Sequence, residues 1–168
     1  PDLQTVIVAV PHLGARIRQM AIGWPAPLQI VGAEGDKYAA FDAADAALAA
    51  SGTVTTELAL AGTPMVVAYK LGWLTYTLVR RFVRVKYITL VNLLLGREAV
   101  TELIQDKCTP KALADAAIAL LTNPDIRRRQ IADLAEAVAR LGLGRDEPSL
   151  RAAQAILDFA RERRTRRI

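Results

Sequence analysis

Residues 46–69 read AALAASGTVTTELALAGTPMVVAY, an alanine- and valine-rich string broken twice by glycine. Ala46–Ala50 is a short run of small residues that stops at Ser51-Gly52-Thr53. Val54–Ala61 has the length of a short helix and carries Leu58 and Leu60. Gly62-Thr63-Pro64 ends it, because glycine readily takes the left-handed conformation that closes a helix and proline cannot continue one. Met65–Tyr69, with Val66 and Val67 adjacent, is an apolar run of strand length. The stretch therefore predicts strand, tight turn, helix, turn, strand.

A turn that leaves a strand and opens a helix points unpaired backbone N–H groups outward, and the helix dipole adds positive potential there. Such a corner can hold a phosphate, with Gly52 letting the backbone approach it and Ser51 and Thr53 adding hydroxyls. Glu57, one helical turn on, is suited to accept hydrogen bonds from sugar hydroxyls. The plainer reading is a Ser or Thr cap followed by an ordinary glutamate.

Working outward, Thr5–Val10 (TVIVAV) is a continuous apolar run, as in a strand buried on both faces. Pro11 ends it, and His12–Ile22 reads as a helix. Leu28–Val31 is a second strand, Gly32–Asp36 a loop and Lys37–Ala44 a short helix. Strands alternating with helices predict a doubly wound parallel sheet. Downstream, Leu71–Val85 reads as a helix in which Trp73, Leu74, Leu78, Val79 and Phe82 accompany Arg80, Arg81 and Arg84. That pattern fits a membrane-interface helix or one packed on a sheet. Tyr87–Leu90 reads as a fifth strand and Asn92–Glu98 as a loop. Helices follow at Ala99–Leu103, Pro110–Leu121, Pro124–Leu141 and Ser149–Arg163, with Thr109 and Asn123 as caps.

Composition narrows the class. The 168 residues are 52% hydrophobic and 23% charged, which suits a globular α/β domain. Cys108 is the single cysteine, so no internal disulfide forms. His12 is the single histidine, which argues against a metal site. The excess of 22 Lys+Arg over 17 Asp+Glu gathers at Arg80–Lys86 and Arg161–Arg167, a pattern open to nucleic acid, anionic lipid or simple solubility. No run reaches membrane-spanning length. No carboxylate pair or Ser/His/Asp set has convincing spacing.

The glycine-turn segment, followed by WLTYTLVRRFVRVKYITLVNLLLGREAVTELIQD at residues 73–106, closely resembles the lipid-A-disaccharide synthases. SGT…E…AGTPMVV is shared with other two-Rossmann-domain UDP-sugar transferases, and the Asn-Leu-Leu-x-Gly-Arg-Glu motif narrows the likeness to one family. The resemblance implies the C-terminal, UDP-sugar-binding Rossmann-like domain of an inverting hexosyltransferase. That enzyme joins UDP-2,3-diacylglucosamine to 2,3-diacylglucosamine 1-phosphate (lipid X) and releases UDP. It implies residues 1–108 as the UDP-sugar-binding domain, without its first strand, and 109–168 as helices packing on the same domain. Ser51, Gly52 and Thr53 would face the diphosphate and Glu57 the ribose. Asn92, Arg97 and Glu98 would line the same cleft, and the Gly32–Tyr38 loop would meet uracil. No metal and no cofactor is implied, and the catalytic base would lie in an N-terminal domain absent from this chain. The family works at the cytoplasmic face of the inner membrane, which the Trp73–Lys86 helix would touch; a homodimer is compatible and nucleic acid is not a partner.

Two departures stand out. Val91 occupies a position where the family usually has proline, which implies a less rigid loop. The first strand of the domain, with its Pro-Gly-Ser-Arg loop, is missing, so in the order 3-2-1-4-5-6 Thr5–Val10 and Ala46–Ala50 would flank an empty slot. The chain is therefore expected to be part of a longer protein and inactive alone. The alternatives are another envelope UDP-sugar transferase, such as the one adding N-acetylglucosamine to the peptidoglycan lipid precursor, and a non-enzymatic basic module binding nucleic acid or membrane.

Overall fold

The computed structural model describes residues 3–32, 34–50, 52–72, 86–142 and 148–165. Two compact units divide the chain, Pro1–Val138 and Ala139–Ile168. The first holds every described strand: β1 (Thr5–Val8), β2 (Leu28–Val31), β3 (Ala47–Ala50), β4 (Met65–Tyr69) and β5 (Thr101–Ile104). Between them lie α1 (Gly14–Met20), α2 (Glu34–Ala43), α3 (Thr53–Ala61) and α4 (Leu90–Leu95), followed by α5 (Pro110–Thr122) and α6 (Pro124–Leu141). The second unit contains α7 (Pro148–Thr165), where Gln154 Nε2 donates to Asp158 Oδ1 at 2.8 Å, one helical turn on.

All described pairings are parallel, and they fall into two sheets. β1 pairs with β2 from Thr5↔Leu28 to Val8↔Val31. The other sheet has the order β3-β4-β5, with Ala47↔Met65 and Val66↔Thr101 fixing the register. The alternation of strand and helix read from the sequence is thus the observed architecture. No ladder joins the two sheets among the described residues, so β1 and β3 each have a single strand neighbour. α2 lies against β1, β2 and α3, and α3 lies against β3 and β4.

The core sits on the three-stranded sheet. Met65 and Val67 of the central strand β4 are 0% exposed. Around them cluster Phe41, Leu58, Ala59, Val91, Val100, Leu134, Ala137 and Val138. The buried glutamine of α6, Gln130, accepts the Met65 N–H at 2.6 Å and so caps the start of β4. β1 does not share this burial: Val6 is 45% and Val8 39% exposed, against the expectation of a strand covered on both faces. Its apolar alternation is that of a strand with one open face.

Three local readings change. Tyr87–Leu90 is not a strand: Thr89 caps α4, its Oγ1 accepting the Asn92 N–H at 3.3 Å. Most of Asn92–Glu98 belongs to that helix and its left-handed Gly96 end, not to a loop. Thr101–Ile104 is a strand where a helix over Ala99–Leu103 was expected, because β4 offers it a free ladder. The Trp73–Lys86 helix lies outside the described residues, save for Lys86 at its end. Thr109 Oγ1 accepts the Ala112 N–H, and Asn123 Oδ1 accepts the Asp125 and Ile126 N–H groups, so both caps act as read.

Candidate functional site

The carboxyl end of β3 passes into α3 through Gly52, at φ 145° and ψ −161°. A side chain is strained in that region of φ, so glycine is required. A Cβ built there would meet nothing within 4 Å, so the corner is open as well as tight. No side chain caps the helix; instead Thr55 turns inward, its N–H and Oγ1 both donating to the Gly52 carbonyl at 3.1 and 2.7 Å. The first-turn amides at Thr53 and Val54 have no acceptor within the helix. Thr53 is exposed, while Ser51 lies outside the described residues. At the far end Gly62 closes α3 at φ 72°, and Thr63 Oγ1 donates to the Phe41 carbonyl at 2.7 Å.

Glu57 stands one turn into α3. Its carboxylate meets α2. It is held there by Lys37 of α2, whose Nζ donates to Oε1 at 3.1 Å. The bond to Glu57 raises the Lys37 ammonium above its ordinary value. Residues 34–38 are helical rather than the loop expected to meet uracil, and they bring Lys37 to Glu57.

The second half of the expected site is elsewhere. Asn92 is 0% exposed and spends every side-chain group inside the protein. Its Nδ2 donates to the Val100 carbonyl and to Glu102 Oε1 at 2.7 and 2.8 Å. Its Oδ1 accepts the Ala99 and Val100 N–H groups at 2.8 and 2.9 Å. Glu102 also accepts from the Ile88 and Thr89 N–H groups and from Thr89 Oγ1. Asn92 and Glu102 therefore tie α4 to β5 and leave no group for a ligand. Val91 is buried in the core within α4.

Arg97 donates to Asp133 Oδ1 and Glu136 Oε2 of α6 at 2.9 and 2.7 Å. Arg97 and Glu98 are exposed and lead into the amino end of β5, whereas Gly52 and Thr53 leave the carboxyl end of β3. Parallel register puts these at opposite edges of one sheet. Of the seven expected residues, Gly52, Thr53 and Glu57 lie toward one edge and Asn92, Arg97 and Glu98 toward the other, while Ser51 lies outside the described residues. The polar groups of Asn92 serve buried backbone groups. Lys37, Thr89, Glu102 and Gln130 were missed; only Thr89 carried a signal, as a cap three residues before Asn92.

His12 is exposed on the turn after β1, and Cys108 is a half-buried free thiol. Among the described residues no group of three or more His, Cys, Asp or Glu could hold a metal, and no helix is long and apolar enough to cross a membrane.

Parallel strands joined through helices, with a glycine corner at their carboxyl edge, define an α/β protein of the doubly wound class, whose ligands bind beyond the carboxyl ends of the strands. Comparison with known sequences narrows the class. The profile of the Lipid-A-disaccharide synthetase family matches residues 2–156. The lipid-A-disaccharide synthase of Rhodospirillum centenum is 45% identical over 163 residues, covering 97% of this chain and 41% of the relative. Those of Bradyrhizobium diazoefficiens and Ruegeria pomeroyi are 42% and 43% identical, over 96% and 94% of this chain and 41% of each relative. The chain belongs to the lipid-A-disaccharide synthase family, and it spans about two fifths of the length of these relatives.

Proposed function

We propose that this chain is the donor-binding part of a lipid-A-disaccharide synthase, acting in lipid A biosynthesis. The open glycine corner beside a held glutamate carries the reading. The first-turn amides of α3 take the diphosphate of UDP-2,3-diacylglucosamine, with Gly52, Thr53 and Ser51 around it, and Glu57 accepts from the ribose. Negative charge grows on the departing UDP during transfer to lipid X, so donors aimed at that diphosphate lower the barrier. Arg97 acts as structure, pairing with two carboxylates of α6 rather than with phosphate.

The base that activates the acceptor, and the strand that fills the slot between β1 and β3, come from the polypeptide that makes up the remaining length of the relatives. The active protein works at the cytoplasmic face of the inner membrane, with the Trp73–Lys86 segment and its arginines toward anionic lipid. Calorimetric titration with UDP tests the donor site: saturable binding is expected, weakened about tenfold or more in Glu57→Ala, as for loss of a hydrogen bond to a charged group. No UDP binding by the folded chain, or full affinity in Glu57→Ala, sinks the reading.

A further inference from the structure

The edge that carries the glycine corner also holds an ion pair. Lys37 and Glu57 come from different helices, α2 and α3, twenty residues apart in sequence. Their side chains are 19% and 30% exposed, so the pair is sheltered yet reachable by solvent. The Lys37 ammonium also lies over the Tyr38 ring, 4.6 Å from its centroid. Tyr38 in turn meets Phe41 edge-on at 6.2 Å, and Phe41 belongs to the core. A line of contacts therefore runs from the core through Tyr38 and Lys37 to one oxygen of Glu57. Among the described residues, no donor other than Lys37 engages the Glu57 carboxylate, so Oε2 is open to a ligand.

A glutamate on an exposed helix face samples many rotamers, and ordering it on binding weakens affinity. A partner that orders it beforehand removes that cost. We propose that Lys37 is a positioning residue: by holding Oε1 it fixes the Glu57 carboxylate so that Oε2 is presented to the vicinal hydroxyls of a nucleotide ribose. The inference rests on the reading of Glu57 as the ribose acceptor. It assigns Lys37 to selection of ribonucleotides over sugars lacking those hydroxyls, and not to the phosphates.

The test compares UDP with 2′,3′-dideoxy-UDP in titrations of the 168-residue chain, with a thermal melt of each variant to establish folding. The chain with Lys37 intact is expected to prefer UDP by about tenfold or more, the range of a hydrogen bond to a charged group. Lys37→Met brings that preference to within about threefold while leaving dideoxy-UDP affinity unchanged, and Lys37→Arg restores most of it. If the intact chain binds neither ligand, or both equally, the ribose reading of Glu57 falls and this inference with it. If Lys37→Met keeps the preference, the positioning role alone falls. If it loses affinity for both ligands equally, the ammonium acts on the diphosphate and the proposal is wrong. Lys37→Gln, which keeps a polar side chain, is read by the same criteria if the methionine variant does not fold.

Discussion

The two sheets of this chain use the same vocabulary and meet different fates. β1 reads TVIV and β4 reads MVVAY. Yet Met65 and Val67 are 0% exposed, while Val6 is 45% and Val8 39% exposed. β4 has a parallel neighbour on each side, β3 and β5, and lies in the core with residues of α3, α4 and α6. β1 has one strand neighbour, β2, and its other edge carries no ladder among the described residues. Leu48 of β3, the end strand of the other sheet, is 61% exposed. Apolar sequence alone does not bury a strand; it has to be flanked and covered. Each unpaired backbone group would cost about 1–3 kcal/mol if the slot were closed dry, so the edges stay wet or take up another strand.

Substitutions should expose this asymmetry. The largest effect is expected at the packed sheet: Leu134→Ala, at a 0% exposed side chain of α6, should destabilise by about 2–5 kcal/mol in urea unfolding. The matching cut at the open sheet, Val8→Ala, should stay below about 1 kcal/mol, because much of its side chain already meets water. Equal costs would erase the distinction. Next comes the tie between α4 and β5. Asn92→Ala should cost about 1–3 kcal/mol for each buried group left unpaired, yet leave UDP affinity of the folded variant intact. A variant of native stability that loses UDP binding would return Asn92 to the ligand site.

The smallest effect concerns the pair that joins α2 to α3. The Lys37 ammonium is raised above the ordinary lysine value of 10.5 by its bond to Glu57. Its contribution is therefore fully present below that value and lost as pH climbs through the raised one. The stability difference between the intact chain and Lys37→Met should hold constant from neutral pH to about 10.5 and close above it. A difference that closes near neutrality would contradict the sign.

Much was legible without coordinates. Ser51-Gly52-Thr53 and Gly62-Thr63-Pro64 mark turns by chemistry that acts within a few residues, so α3 and its flanking strands could be read directly. The same holds for the Thr109 and Asn123 caps. The strand–helix alternation, together with the motifs, was enough for the doubly wound class and the family.

Pairing and direction had to wait for the tertiary structure. Thr101–Ile104 has no strong local preference, and becomes a strand because β4 presents it a ladder. Asn92, Arg97 and Glu98 lie toward the edge away from Gly52, where buried amides engage Asn92 and α6 carboxylates engage Arg97. Lys37 carries no motif, and only the approach of α2 to α3 brings it to Glu57. Local rules fix turns and caps because their energies are local, whereas a partner chosen across the fold depends on which elements the core brings together.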